Sequence, residues 1–469
     1  MARVPLSIET IRRQIVGLEQ VVPLLDGRRR PYINLDNGAS TPALKSAQEK
    51  VNEFLEWYAS VHRGAGFKSQ LSTWAYEEAR AIVLRFVGAD PRANTAIFGK
   101  NTTDLLNKLA HHYRARGERV LTTTMEHHSN LLPWRVDGGL VDYVGVRADG
   151  RLDEDDLVRK LEAYGGDVGL VAVSGASNVT GYVTPIHRLA EIAHRFGARI
   201  LVDAAQLAPH RQIEMGHPDD PAHIDFLVLS AHKMYAPFGS GALIGPPDVF
   251  ADGVPDEVGG GVVDIVTLER TVWNALPERG EAGSPNVVGA IALAAAAEAL
   301  QAIGWPAIEA HERELTAYAL EALRAIRGLR ILGSSDPAAV DERLGVISFV
   351  LGDMPHALVA AILAHEYGIG VRNGCFCAHP YLLQLLEVSP EEAQAYQAAI
   401  ERGDRTRIPG AVRASLGIYN TRAEVDELVA ALSRIARGDV AGDYVLDRST
   451  GDYALQGYAV RFEDFFSFA

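Results

Sequence analysis

Runs of apolar residues closed by small or polar ones recur through the first half of the chain, at 95–98, 119–123, 170–174, 199–202 and 226–229. Short continuous runs of this kind predict interior strands covered on both faces. Longer segments with helical spacing stand between them, at 43–60, 71–86 and 185–196, and one opens after Thr102 and Thr103 through Leu105, Leu106 and Leu109. Strands alternating with helices predict an α/β fold with a doubly wound, mainly parallel sheet. After the flexible Gly259-Gly260-Gly261 and the alanine-rich helix around 290–300 the alternation starts afresh. Helices at 306–326, 355–367 and 423–437 and strands at 345–351, 369–372 and 412–416 predict a second, smaller α/β domain.

The pattern divides the chain into four parts. Residues 1–31 form an N-terminal helical arm, with an amphipathic helix over 8–22 and a basic turn at Gly27-Arg28-Arg29-Arg30. Residues 32–302 form the large domain, with 32–60 free to pack on the small one. Residues 303–437 form the small domain, interrupted by a polar helical insertion at 382–410. Residues 438–469 form a tail holding Tyr444, Tyr453, Tyr458, Phe462, Phe465, Phe466 and Phe468. So many aromatics in one short segment disfavour water, and the tail is expected to dock on its own subunit or a partner.

Composition narrows the class. The 469 residues are 48% hydrophobic and 22% charged, as in an ordinary globular enzyme. A net charge of -15 argues against nucleic acid or an anionic membrane as the main partner. The first twenty residues lack the apolar core of a signal peptide, and the most apolar stretch, 290–300, is too short to span a membrane. The two cysteines, Cys375 and Cys377, stand too close for an unstrained mutual disulfide, which fits a reducing cytoplasm.

Candidate chemistry gathers at the ends of the predicted strands. Lys233 follows the run 226–229 and Ser230, just past a strand's carboxyl end, where open α/β sheets bind ligands. Alone it reads as a phosphate ligand, an ion-pair partner or a nucleophile. Asp203 closes the run 199–202 of the same sheet. A lysine and a carboxylate so placed suit pyridoxal phosphate (PLP): the amine joins the aldehyde, and the acid keeps the pyridine nitrogen protonated. His127 ends a further strand, where an imidazole can lie on an aromatic cofactor or shuttle protons. Glu126-His127-His128 also admits a metal, but no second cluster has zinc-like spacing and no metal site is assigned. The small residues of 37–42, Ala39 among them, allow close backbone approach to a ligand, and the glycine-punctuated loop 60–66 carries His62.

The ordered motifs LDNGAS, VHRGAGFKSQLS, NTTDLLN, MEHHSNLLPW, SNVTG, VDAAQ, SAHKMYAPFG, EAGSPN, VRNGCFCAHP and RASLGIYNT resemble the class V aminotransferase group of fold-type I PLP enzymes. The nearest likeness is to cysteine desulfurases of the SufS and CsdA type, over about residues 32–437. The resemblance implies a Schiff-base role for Lys233, with Asp203 on the pyridine nitrogen, Gln206 on the ring hydroxyl and His127 stacked on the ring. It implies that Thr103, Ser230 and His232, with Thr102 beside them, hold the phosphate. Ser284 would reach that phosphate from the partner subunit of a homodimer. Asn178 and Arg413 would hold the substrate carboxylate, with Arg372, Ala39 and His62 on the substrate side. Cys377, in Cys-Ala-His-Pro, matches the family nucleophile.

A desulfurase of this kind converts L-cysteine to L-alanine and leaves a persulfide on the enzyme for an acceptor protein. Phe376 and Cys375 depart from the family pattern, in which histidine is usual at the first position and frequent at the second. The Gly-Cys-Phe-Cys run also resembles the PLP domain of molybdenum-cofactor sulfurases. Related reactions stand as alternatives: a C–S lyase, which would release pyruvate and ammonia, an epimerase or an aminotransferase. A sulfur-relay scaffold is the alternative outside enzymes.

Overall fold

The computed structural model describes residues 8–468. Its centre is a seven-stranded sheet in the order Thr95–Gly99, Gly241–Gly245, Phe226–Ser230, Arg199–Asp203, Val168–Ser174, Arg119–Thr123, Val141–Val144. The last five strands are parallel, and Gly241–Gly245 runs antiparallel to both of its neighbours. The expected α/β class with a mainly parallel sheet is thus the one adopted. Leu201, Val202, Leu227, Val228 and Leu229 are fully buried, because helices cover both faces. That is why these strands read as continuous apolar runs rather than alternating ones. Ser174 pairs with Asp203, and Asp203 with Val228, so the carboxyl ends of three strands come level.

The helix Thr102–Arg116 begins at the same edge of the sheet. The Asn101 side chain caps it by accepting from the Asp104 N–H, and Gly117 closes it in the left-handed conformation. The strand Gly241–Gly245 escaped the sequence pattern because glycine brackets it. A Cβ at Gly241 would lie 2.6 Å from the Leu229 carbonyl oxygen, so the close pairing needs glycine.

A second sheet, wholly antiparallel, runs Leu329–Ile331, Val346–Leu351, Ala411–Ser415, Arg372–Gly374. Its core includes Leu315, Phe349, Val359, Val412 and Leu432, and Ile33 and Leu35 join it. Ile33–Asn34 pairs in parallel with Ile369–Gly370. The helix Lys45–Leu55 instead buries Ala47, Val51 and Phe54 in the core of the large sheet.

Several local expectations are corrected. The first seven residues of the arm lie outside the described residues. The helix expected over 8–22 stops at Arg13, and Val21–Pro23 and Arg29–Pro31 form a hairpin instead. The strand expected at 369–372 splits between two sheets. The insertion is two helices, His379–Leu385 and Pro390–Glu401, parted by Glu387 in the left-handed conformation and restarted by a Ser389–Glu392 capping box. The tail divides. Its hairpin, Tyr444–Leu446 with Tyr453–Leu455, buries Leu455 and bonds the Tyr444 hydroxyl to Glu366 at 3.1 Å. Phe462, Phe465, Phe466 and Phe468 are exposed in the single chain, with Arg29 lying over Phe465. Among the described residues, no single helix is long and apolar enough to cross a membrane.

Candidate active site

The carboxyl edge of the large sheet and the small domain enclose a cavity of about 320 Å³. Lys233 stands on its floor, in the short turn Ala231–Lys233 that ends the strand Phe226–Ser230. Its ammonium makes no hydrogen bond or ion pair with any described residue. Burial pushes its pKa down to about 8, with Asp203 pulling it up and Arg413 pressing it down further. Asp203 is buried at the end of its strand and accepts the Ala205 N–H at 3.0 Å. Burial raises its pKa, and the Ala205 bond and the Lys233 charge hold that rise back.

The neighbouring strand ends complete one wall. His127 Nδ1 accepts the Ser129 N–H at 3.1 Å, which leaves the ring proton on Nε2. Burial, then Lys233, pushes the His127 pKa down to about 3, so the ring is neutral at physiological pH. Beneath it Glu126 is fully buried, accepting from Thr123, Asn130 and Ser174. Burial raises its pKa to about 7 against those bonds. This carboxyl ties the His127 turn to two strand ends. Gln206 donates to the Gly38 carbonyl at 2.7 Å and so holds the 37–42 bend, with Ala39, against the cavity.

The start of the helix Thr102–Arg116 forms the next wall. Ser230 Oγ accepts the Thr102 N–H at 2.9 Å and meets Thr102 Oγ1 at 2.8 Å. Thr103 Oγ1 lies 2.6 Å from Ser129 Oγ. His232 also lines the cavity, and burial and Lys233 push its pKa down to about 4. Hydroxyls gathered at a helix start, beside a lysine, suit an anion.

The small domain supplies the opposite wall. Arg413 is buried, donating to the Asn178 carbonyl at 3.0 Å and to Asp36 at 3.2 Å, and its Nε has no partner. Burial lowers its pKa, with Asp36 opposing. The same Asp36 pairs with the half-exposed Arg372 at 2.9 Å. Asn178 donates to the Phe376 carbonyl at 2.6 Å, and the Cys377 carbonyl accepts the His128 N–H, also at 2.6 Å. Between these two clasps, Phe376 and Cys377 both take the left-handed conformation, with φ of 52° and 55°. Cys377 is exposed and lines the cavity.

The bend changes the reading of the two cysteines. In an extended loop their side chains would point to one side, whereas the left-handed turn separates them. Cys375 is buried, its thiol donating to the Pro409 carbonyl at 3.0 Å, and burial pushes its pKa up to about 12. It therefore fills the core beneath the loop and is poorly placed to relay sulfur.

Most of the expected site residues meet here: Lys233, Asp203, Gln206, His127, Thr102, Thr103, Ser230, His232, Asn178, Arg413, Arg372, Ala39 and Cys377 all face the cavity. Two do not. Ser284 is exposed and lines a separate cleft with Gly99, Lys100 and Asp104. His62 is exposed, edge-on to Tyr76, and does not line this cavity. Asp36 and Ser129 were passed over in the sequence. Both sit inside quoted motifs, LDNGAS and MEHHSN, where a carboxylate at a strand end was the available signal.

A family profile described as aminotransferase class-V matches residues 33–428. The cysteine desulfurase of Dickeya dadantii (strain 3937) is 34% identical over 440 residues, covering 92% of this chain and 97% of that protein. The apo structure of a cysteine desulfurase from Thermococcus onnurineus NA1 is 32% identical with a TM-score of 0.77, covering 92% of this chain and 98% of that one. The structure of the cysteine desulfurase CsdA (S-sulfonic acid) from Escherichia coli is 28% identical with a TM-score of 0.73, covering 93% and 99%. With these likenesses spanning both sheets and every wall of the cavity, the chain belongs to the class-V aminotransferase family.

Proposed function

We propose that the chain is a PLP-dependent cysteine desulfurase, which moves the sulfur of L-cysteine onto Cys377 and releases L-alanine. One observation carries the reading: an exposed thiol, Cys377, lines the cavity whose floor holds the unpartnered Lys233. PLP, when bound, supplies an electrophilic aldehyde for amines and a ring that takes up electron density from the substrate's α-carbon. The residues fit it. With its pKa at about 8, Lys233 is the free amine in a useful fraction of molecules at neutral pH. Asp203 would hold the pyridine nitrogen, Gln206 the ring hydroxyl and His127 the ring face. Thr102, Thr103, Ser230 and His232 would hold the phosphate.

On the substrate side, Arg413 offers a buried cation to the amino acid's carboxylate, helped by Asn178 and by Arg372 at the mouth. Neutral His127, which lines the cavity, holds one proton on Nε2. The thiolate of Cys377 takes the sulfur: an S–S bond forms, the substrate C–S bond breaks, and the carbon gains a proton to leave as alanine. The persulfide then passes to an acceptor thiol on another protein. Ser284, turned away from its own cavity, is assigned to the phosphate of a second copy, which makes the working unit a homodimer. Two free thiols suit a reducing cytoplasm.

The test is product analysis with L-cysteine. The expected result is alanine equal to the sulfur transferred, with the first extra sulfur on Cys377, and a borohydride-fixed pyridoxyl group that Lys233→Ala lacks. Pyruvate and ammonia in place of alanine would replace the desulfurase with a C–S lyase. A pyridoxyl group on another lysine would overturn the assignment of Lys233.

A further inference from the structure

The strand that carries Lys233 has a second cluster at its other end. Asp225 immediately precedes Phe226–Ser230, His223 lies two residues earlier, and His194 sits in the last turn of the helix Ile186–Arg195. His194 Nε2 lies 2.8 Å from Asp225 Oδ2, and His223 Nε2 lies 3.5 Å from Asp225 Oδ1. The two rings stack with centroids 4.4 Å apart. Among the described residues, this is the group of His, Cys, Asp and Glu side chains whose ligand atoms converge, all within 4.8 Å of one another.

Backbone contacts decide which ring nitrogens are free. His194 Nδ1 lies 2.7 Å from the Pro221 carbonyl oxygen, and His223 Nδ1 lies 2.6 Å from that of Asp220. A carbonyl oxygen only accepts, so both Nδ1 atoms carry their hydrogens. In the neutral rings, both Nε2 lone pairs then point at the lone pairs of one carboxylate. Asp225 Oδ2 also accepts the Ile200 N–H at 2.8 Å, and a cation between the rings and the carboxylate would relieve the repulsion that remains. Two protons would serve, but they would set two imidazolium rings face to face at stacking distance. Arg199 is the nearby cation, and its guanidinium is engaged with Asp248 at its own end. It does not enter the gap.

We propose that His194, His223 and Asp225 bind one divalent transition-metal ion, zinc by preference. Two imidazoles and a carboxylate form an ordinary nitrogen–oxygen donor set, with water as the fourth ligand. Bonds of about 2.0–2.2 Å in a tetrahedron put ligand atoms roughly 3.3 Å apart. One ligand atom from each of the three side chains already lies within 4.8 Å of the others, so small side-chain shifts would bring them to that spacing. An Nδ1–H bonded to a backbone carbonyl is the usual outer support of a metal-bound histidine, and here both histidines have one. Side-chain exposures of 17%, 18% and 11% leave room for an ion and its water to enter. The ion would pin a helix end to the amino end of the strand that carries Lys233, opposite the cavity. Nothing in the sequence pattern announces the site, because His194 is separated from His223 by a whole strand and loop.

Zinc titration in the Cys377→Ser background tests it, so that the exposed thiolate does not compete. The PLP-loaded protein is stripped with chelator, loaded with zinc, desalted and assayed for bound metal by elemental mass spectrometry. One zinc per chain is expected, with a melting temperature that climbs with zinc concentration. Adding His223→Ala should weaken binding by about 100-fold or more, since a lost ligand costs more than a lost outer partner. Should that variant fold poorly, His223→Gln replaces it and should weaken zinc binding likewise. Equal zinc in the proteins with and without His223, or no zinc retained by either, overturns the proposal and leaves a protonated histidine pair. PLP absorbance and alanine production by otherwise native protein report on the active site separately.

Discussion

Alkylation of the native enzyme should separate its two cysteines by orders of magnitude. With a pKa of about 12, Cys375 has a thiolate fraction of about 10⁻⁴ at pH 8, against roughly a quarter for an unperturbed thiol. Since the thiolate is the reactive form, Cys375 should react on the order of 10³ times more slowly than a free thiol. Burial and the bond to the Pro409 carbonyl slow it further, because iodoacetamide must wait for a local opening. Cys377 lines the open cavity and has no such barrier. Native protein treated at pH 8 should therefore take up one alkyl group, which tandem mass spectrometry places on Cys377. Cys377→Ser should take up almost none until it is denatured. The reasoning fails if Cys375 reacts within tenfold of Cys377 in folded protein. The same result would reopen a sulfur-relay role for Cys375.

Glu281→Ala removes the buried partner bonded to Arg80 at 2.7 Å, leaving it only Glu77, and strips the partner from Tyr76 and the Phe98 N–H; the loss should be about 2–3 kcal/mol, read as a lower denaturant midpoint, and an unchanged midpoint would refute it. His112 is buried against Phe250, and burial pushes its pKa down to about 4. The unfolded chain thus binds the extra proton between about pH 4 and 6.5, so stability falls as pH drops through that window, by about 1 kcal/mol per unit. His112→Leu should flatten that part of the profile, measured as denaturation midpoints at pH 7 and 5, and an equally steep fall would refute the assignment. Removal of residues 460–469 should leave the melting temperature unchanged, because the phenylalanines there are exposed, whereas removal of 438–469 also deletes the buried Leu455 and the Tyr444 bond to Glu366 and should cost about 2–3 kcal/mol. Equal effects of the two truncations would contradict the divided tail.

What the sequence revealed follows a physical rule. Lys233 and Asp203 each close a run of fully buried residues, and a polar residue that ends such a run must lie at an edge of the sheet. Strand ends were therefore legible one at a time. What joins distant segments was not. Asp36 pairs with arginines more than three hundred residues away, and no local pattern marks it as shared. Gly241–Gly245 looked like turn chemistry because the property it needs, the absence of a side chain, is the one that also marks turns. The left-handed bend at Phe376 and Cys377 lacked a signal altogether, since neither residue type favours that conformation. Aromatic content in the tail indicated a wish to be buried, and within the single chain the hairpin and Tyr458, which packs on His365, meet it.

The bend at Cys377 is also where the backbone is strained and its surroundings must hold it. Each left-handed non-glycine residue costs on the order of 1–2 kcal/mol. The clasps from Asn178 to the Phe376 carbonyl and from the His128 N–H to the Cys377 carbonyl return about 1 kcal/mol apiece. Arg413 packed over the Phe376 ring, 5.1 Å from its centroid, adds a similar amount. Burial of Phe376 and Cys375 in the core and the Cys375 bond to the Pro409 carbonyl add to these, so the surroundings hold a bend that the residues themselves disfavour. Both clasps come from strand ends of the large sheet, next to Lys233 and His127, while the loop itself belongs to the small domain's polypeptide. Under the proposed desulfurase reading, a thiol that meets a buried substrate and then offers its sulfur outward needs a fixed address beside the cavity, and these clasps supply it.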